Sequence, residues 1–296
     1  MIKLNPSKIV IPVDFSKTAL KAIKHAAYIA SLNKGELFLL NVQKKNDLID
    51  IILPAIKLKD TSIITKYIQE KLGELAEDVR KEYGVKVTPI VSMGSVTSEI
   101  VDIADENKAG LIVMGTQGGD SDSSLLLGSN SYRVLTKAHC PVLTVRANTN
   151  KIGYADIVMV IDSSGHTRQK VVPTLKFAEK FASRIHLLGI LGKNEEGYKY
   201  NLEVIFGQIE KMAEKSGLKC VTKILENVTQ PAEQTLKYVN KEKADLISIM
   251  SDQKTGGSIL LGSYAHEILN DSKTPVLCFK PEAHDEMAPF SLGGMW

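Results

Sequence analysis

Cysteine is scarce in this chain, tryptophan occurs only at its last position, and no apolar run approaches the length of a membrane span. The three cysteines (Cys140, Cys220, Cys278) are far apart and odd in number, which suits buried thiols in a reducing compartment and argues against a disulfide framework or a zinc site. Charge of one sign is also lacking. Lys and Arg (37) nearly balance Asp and Glu (34), and no basic block is dense enough to argue for a nucleic-acid partner. The six histidines show no metal-ligand spacing, and no Ser-His-Asp or Cys-His arrangement follows from spacing. The first residues, MIKLNPSKIVIPVDFS, lack the apolar core and small-residue cleavage site of a secretory signal. These absences together lead us to expect a soluble, cytoplasmic chain without membrane, nucleic-acid or metal partners.

What is present concentrates at 111–131, LIVMGTQGGDSDSSLLLGSNS. Four β-compatible apolar residues run into Gly115, Gly118 follows, and after nine residues Gly128 and Ser129 open the segment SNSYRVLTKA. A strand, a glycine loop and a helix start form a recurrent way of holding a phosphate. Glycines accept φ > 0 and allow close backbone approach. Ser129 is a candidate cap for a helix whose free N–H groups and positive dipole end face the anion. No lysine of the P-loop kind follows Gly128, so a P-loop NTPase is excluded. The segment GGDSDSS superficially matches the pyrophosphatase loop of ATP-dependent amidating enzymes. That loop belongs after the first strand, whereas this one follows the fourth, so the match is rejected.

The chain is also written twice, at the period of a whole domain. KIVIPVDFS is echoed by DIVMVIDSS, ELFLLNV by RIHLLGI, KAGLIVMG by KADLISIM, and LLLGSNSYRVLTKAHCPVLTVR by ILLGSYAHEILNDSKTPVLCFK, in the same order. The boundary falls in the polar stretch 147–155. We expect domains at 1–150 and 151–282 and a tail at 283–296, for which disorder is the default.

In the first half, strands are expected at 9–13, 36–42, 86–92, 111–114 and 142–146. Helices are expected at 17–31, 62–83, 98–107 and 129–137. Apolar strands alternating with helices imply an α/β fold, a doubly wound parallel sheet covered on both faces. Ligands of such sheets bind beyond the strand carboxyl ends, where strand order reverses. Asp14, Val42 and Gly115 fall at such ends. Asp14 is also a candidate helix cap, and the two roles are compatible. The apolar insertion 47–64, broken by Pro54, reads as a lid or core-covering helix.

The landmarks now on the page resemble the universal stress protein family in its tandem, two-domain form. The resemblance runs from Lys8 to Lys280, and its most specific element is the loop G-x2-G-x9-G-[S/T], met by Gly115, Gly118, Gly128 and Ser129. It implies two Rossmann-like domains, akin to adenine nucleotide α-hydrolases and packed as an internal pseudo-dimer, with the last strands (142–146 and 276–280) at the interface. It implies an adenine nucleotide, ATP with or without Mg²⁺, as ligand. Pro12, Val13 and Asp14 would lie beside the adenosine and Val42 would frame the adenine edge. Met114 and Gly115 would contact the ribose region, and Gly118 would turn the loop over the phosphates. Gly128, Ser129, Asn130 and Ser131 would present N–H groups and hydroxyls to the phosphate oxygens.

The second half departs from this pattern. Gly115 becomes Met250, Gly118 becomes Gln253, Pro12 becomes Val160, and the loop to Gly262 is one residue shorter. One ATP per chain, in the first half, is therefore expected, with the second half kept for structure. Whether the second half takes something smaller stays open. So do a slow Mg²⁺-dependent ATPase or phosphoryl or nucleotidyl transferase using Asp14, a nucleotide-free scaffold, a homodimer, and the identity of any protein partner.

Overall fold

The computed structural model describes residues 2–43, 61–116, 127–149, 151–162, 164–251, 254–255, 258–259 and 261–282. Gly118, most of the insertion 47–64 and the tail 283–296 lie outside them.

In the first half β1 (Lys8–Pro12), β2 (Glu36–Gln43), β3 (Lys86–Met93), β4 (Leu111–Gly115) and β5 (Val142–Val145) alternate with α1 (Lys17–Asn33), α2 (Thr61–Tyr83), α3 (Val96–Glu106) and α4 (Ser129–Lys137). The second half repeats this with β6 (Asp156–Ile161), α5 (Val171–Glu179), β7 (Arg184–Gly192), α6 (Lys199–Lys215), β8 (Lys219–Val228), α7 (Pro231–Glu242) and β9 (Leu246–Met250). A two-stranded ribbon, β10 (Lys254–Thr255) and β11 (Ser258–Ile259), then precedes α8 (Ser263–Asp271) and β12 (Val276–Phe279).

The strands form one ten-stranded sheet in the order β3-β2-β1-β4-β5-β12-β9-β6-β7-β8. Pairing is parallel within each half. Strand order reverses at β1/β4 and again at β6/β9. The halves meet where β5 and β12 run antiparallel, with Val276 opposite Thr144, Leu277 opposite Leu143 and Cys278 opposite Val142. The internal pseudo-dimer is thus a continuous sheet.

Two-residue periodicity divides each strand between two cores. Ile9 and Ile11 enter the core beneath α1, α2, α5 and α6, whereas Val10 enters the opposite core with Ile100, Val134, Val239 and Ile268. Helix α1 buries Ala19, Ala22, Ile23, Ala26, Ala27 and Ala30, the helical-period set of the sequence, and these small residues let it lie close on the sheet. It ends at Asn33, two residues beyond the expected point, where left-handed Lys34 (φ 48) donates its N–H to Ala30 O.

A polar contact also joins the halves. Buried His25 on α1 bonds through Nδ1 to Tyr154 Oη at 2.8 Å, and Tyr154 packs among Phe177 and Phe181. Burial, aided by Lys21, pulls the His25 pKa down from 6.5 to about 4. A depressed native pKa means that the unfolded chain takes up a proton first, so the stability is complete above pH 6.5 and is lost as pH falls toward 4. We expect denaturant unfolding to show about 3 kcal/mol less stability at pH 4 than at pH 7 from this group. His25→Gln should flatten that part of the profile.

Candidate functional site

The first reversal of strand order opens a crevice at the carboxyl ends of β1 and β4, and the chain beyond each strand is shaped by local hydrogen bonds. After β1, Val13 N donates to Leu40 O, and Asn41 Nδ2 donates to Val13 O at 2.6 Å. Asp14 Oδ1 accepts from Ser16 N (3.0 Å) and Ser16 Oγ (2.5 Å), while Ser16 Oγ accepts from Ala19 N as the N-cap of α1. Phe15 between them is left-handed at φ 62. The cap is therefore Ser16, and Asp14 orients it.

After β4, Thr116 N donates to Val145 O and Gly128 N donates to Thr116 O at 2.9 Å, closing the base of the loop 117–127. Ser131 Oγ donates to Gly115 O. Ser129 is not the cap expected of it. Gly128 occupies the N-cap at φ −60, no side chain caps the helix, and Ser129 is the first helical residue. Among the described residues, no side chain accepts from the leading N–H groups of α4, which lie at its positive end.

The glycines also serve a different purpose from the one expected. Neither Gly115 nor Gly128 has positive φ. A Cβ on Gly115 would stand 2.9 Å from Thr18 Cβ, and one on Gly128 would stand 3.1 Å from Thr116 O. The first is glycine because α1 lies against the end of β4, and the second because the loop base is closed.

These elements surround a cavity of about 480 Å³. Pro12, Val13, Asp14, Val42, Met114, Gly115, Gly128, Ser129, Asn130 and Ser131 all line it, so every proposed contact within the described residues is brought together. Leu40, Val96 and Ile100 complete an apolar side, and Thr116 adds a hydroxyl beside the α4 end. Sequence reasoning missed Asn41 and Thr116. A lone amide inside ELFLLNV was a signal for the first, and position next to Gly115 was one for the second. Thr116 Oγ1 is buried with no hydrogen-bond partner among the described residues, a state that costs free energy unless a ligand or water supplies one.

The second half rebuilds the frame around a smaller space. Asp162 Oδ1 accepts from Ser164 N (2.9 Å) and Ser164 Oγ, and Gly262 N donates to Ser251 O at 3.3 Å. Ser251 Oγ, at the position of Thr116, is likewise without a partner among the described residues. Met250 stands where Gly115 does, and the segment after Ser164 opens as a 3-10 turn (Gly165–Lys170) before α5 begins. The cavity there measures about 300 Å³. His166 lines it.

Residues 6–146 and again 153–280 match the Universal stress protein family. The chain belongs to the universal stress protein family. Universal stress protein MJ0531 of Methanocaldococcus jannaschii is 39% identical over 142 residues, 47% of this chain and 81% of that protein. Universal stress protein MJ0577 of the same organism is 35% identical over 152 residues, 47% of this chain and 94% of its own length. The crystal structure of a universal stress protein from Archaeoglobus fulgidus superposes with a TM-score of 0.75 at 20% identity, covering 93% of this chain and 98% of that one. That likeness shows the shared fold across both halves. Among the described residues of this universal stress protein, no helix is long and apolar enough to cross a membrane, and no cluster of three potential metal ligands occurs.

The tight contact behind Gly115 gives a direct test. Gly115→Ala must push against both Thr18 Cβ and its carbonyl carbon at 3.1 Å. The expected loss is about 1–3 kcal/mol in urea unfolding, the usual cost of overpacking.

Proposed function

We propose that the first half of this universal stress protein binds ATP, with or without Mg²⁺, at one site per chain, as a regulatory or stabilising ligand in a cytoplasmic stress response. The observation that carries this reading is the division of its cavity into two unlike ends. Leu40, Val42, Val96, Ile100 and Met114 offer an apolar slot for a flat base, and Asp14 stands beside it with a carboxylate to accept from a ribose hydroxyl or the adenine amine. At the other end lie the leading N–H groups of α4, at Ser129, Asn130 and Ser131, and the Thr116 hydroxyl. Backbone donors at a helix N-terminus suit phosphate oxygens without a lysine or arginine. The volume of about 480 Å³ lies within the range of small-molecule sites.

ATP held in this way acts through its differential affinity for two conformations of the chain. We assign that difference to the segment 119–127, between β4 and α4. In this reading the chain divides at 1–150 and 151–282, with 283–296 as a tail, and the second half keeps the sheet complete.

Calorimetric titration of ATP into the intact chain, with and without Mg²⁺, tests the proposal. We expect saturation near one site per chain. Thr116→Val should weaken binding by about 2- to 10-fold, the worth of one hydrogen bond. Gly118→Val, which removes the second glycine of the G-x2-G-x9-G-[S/T] motif, should abolish it. A folded wild type that releases no heat, or one that saturates at two sites, would overturn the proposal.

A further inference from the structure

The second-half cavity contains a group that the first half lacks. Counting from the aligned aspartates Asp14 and Asp162, Lys170 stands where the first half has the core residue Ala22. Lys170 is 1% exposed and lines the cavity at the end of the 3-10 turn. Its Nζ donates to Thr167 O at 2.7 Å and to Thr167 Oγ1 at 2.8 Å. A neutral amine has two N–H bonds, both engaged here, and one lone pair. Val160, Ile190, Val228 and Ile249 make much of the wall apolar. Asp162 and Glu195 share the lining with His166, so an anion entering would meet two carboxylates. An uncharged electrophile with a short apolar tail would meet no such repulsion.

We propose that the second half holds a small apolar aldehyde or ketone as a reversible imine on Lys170, in the cavity that replaces the nucleotide site. Lys170 Nζ attacks the carbonyl carbon, a C–N bond forms, and the carbonyl oxygen takes up a proton to give a carbinolamine. Loss of the oxygen as water and of the nitrogen-bound proton leaves the C=N bond. The balance is amine plus carbonyl to imine plus water, with no oxidant or reductant. Asp162, which lines the same cavity, is the carboxylate to which we assign the proton relay.

Burial supports this chemistry by pulling the Lys170 pKa from 10.5 down to about 7, against the opposing pull of Asp162 and Cys278. His166, Glu195 and Tyr264 are the other titratable groups on the cavity. At neutral pH the free amine is therefore a far larger fraction of Lys170 than of an ordinary exposed lysine. Lysines desolvated in apolar pockets are activated nucleophiles on this ground.

The test is reductive trapping on the intact chain, using butanal and sodium cyanoborohydride with peptide mass mapping of every lysine. Lys170 should be alkylated at least about tenfold faster than any other lysine, with labelling half-maximal near pH 7. Lys170→Met, shown to be folded by circular dichroism, should lose that fast phase and keep the slow surface labelling. The proposal is overturned if Lys170 in the folded wild type is unlabelled, or if it is labelled no faster than the surface lysines. The ATP site plays no part in this measurement, so either reading can fail alone.

Discussion

The antiparallel pairing of β5 with β12 is the interaction on which the rest of the molecule depends. Each half alone would end its parallel sheet in an open edge strand of apolar residues, and exposed edges of that kind invite uncontrolled pairing. Joining the two edges buries both: Val142, Leu143, Val145, Val276, Leu277 and Phe279 are all nearly inaccessible to solvent. The seam also reaches both cavities. Thr116 N donates to Val145 O, and Ser251 N donates to Phe279 O at 2.7 Å, so the loop base in each half is anchored on a seam strand. Contacts cross directly between halves as well: Arg146 Nη2 donates to Leu269 O, and Leu127 N, next to the Gly128 cap, donates to Asn270 Oδ1.

This shared frame explains how two cavities of unlike lining sit in one fold. The Asp-x-Ser turn after the first strand, the loop-closing bond and the helix beginning at a glycine recur in both halves. What differs is small in sequence and large in volume. Removing a side chain at Gly115 lets α1 lie against the strand end, whereas Met250 fills the same place and the helix start opens as a 3-10 turn. Replacing Ala22 by Lys170 puts an amine into apolar surroundings. Such burial lowers stability unless the amine is neutral and bonded, and here Thr167 accepts both of its bonds.

Much of this was legible from the chain. The apolar runs KIVIP and LIVMG and the two-fold repetition of landmarks pointed to the sheet and its covering helices, and the resemblance to the universal stress protein family implied the seam. The glycine spacing pointed to the cavity that Gly115 and Gly128 line. What escaped was specific to contacts across the fold. Nothing in GSNS shows that glycine takes the cap and serine the next position, because caps depend on the entering backbone angle. Gly115 looked like a loop glycine, but its neighbour Thr18 is distant in sequence. Nothing in the sequence marks Lys170, since spacing alone does not reveal that it is buried where the aligned residue is alanine.

The central claim is that two copies of one fold divide their roles, with nucleotide recognition confined to the first. Hydrogen exchange of the intact chain with and without saturating ATP tests this most directly. The account predicts new protection at 12–16, 114–116 and 128–131, and no change at 160–162, 250–251 and 261–264. Equal protection at both sets of positions, or protection confined to the second, would contradict it.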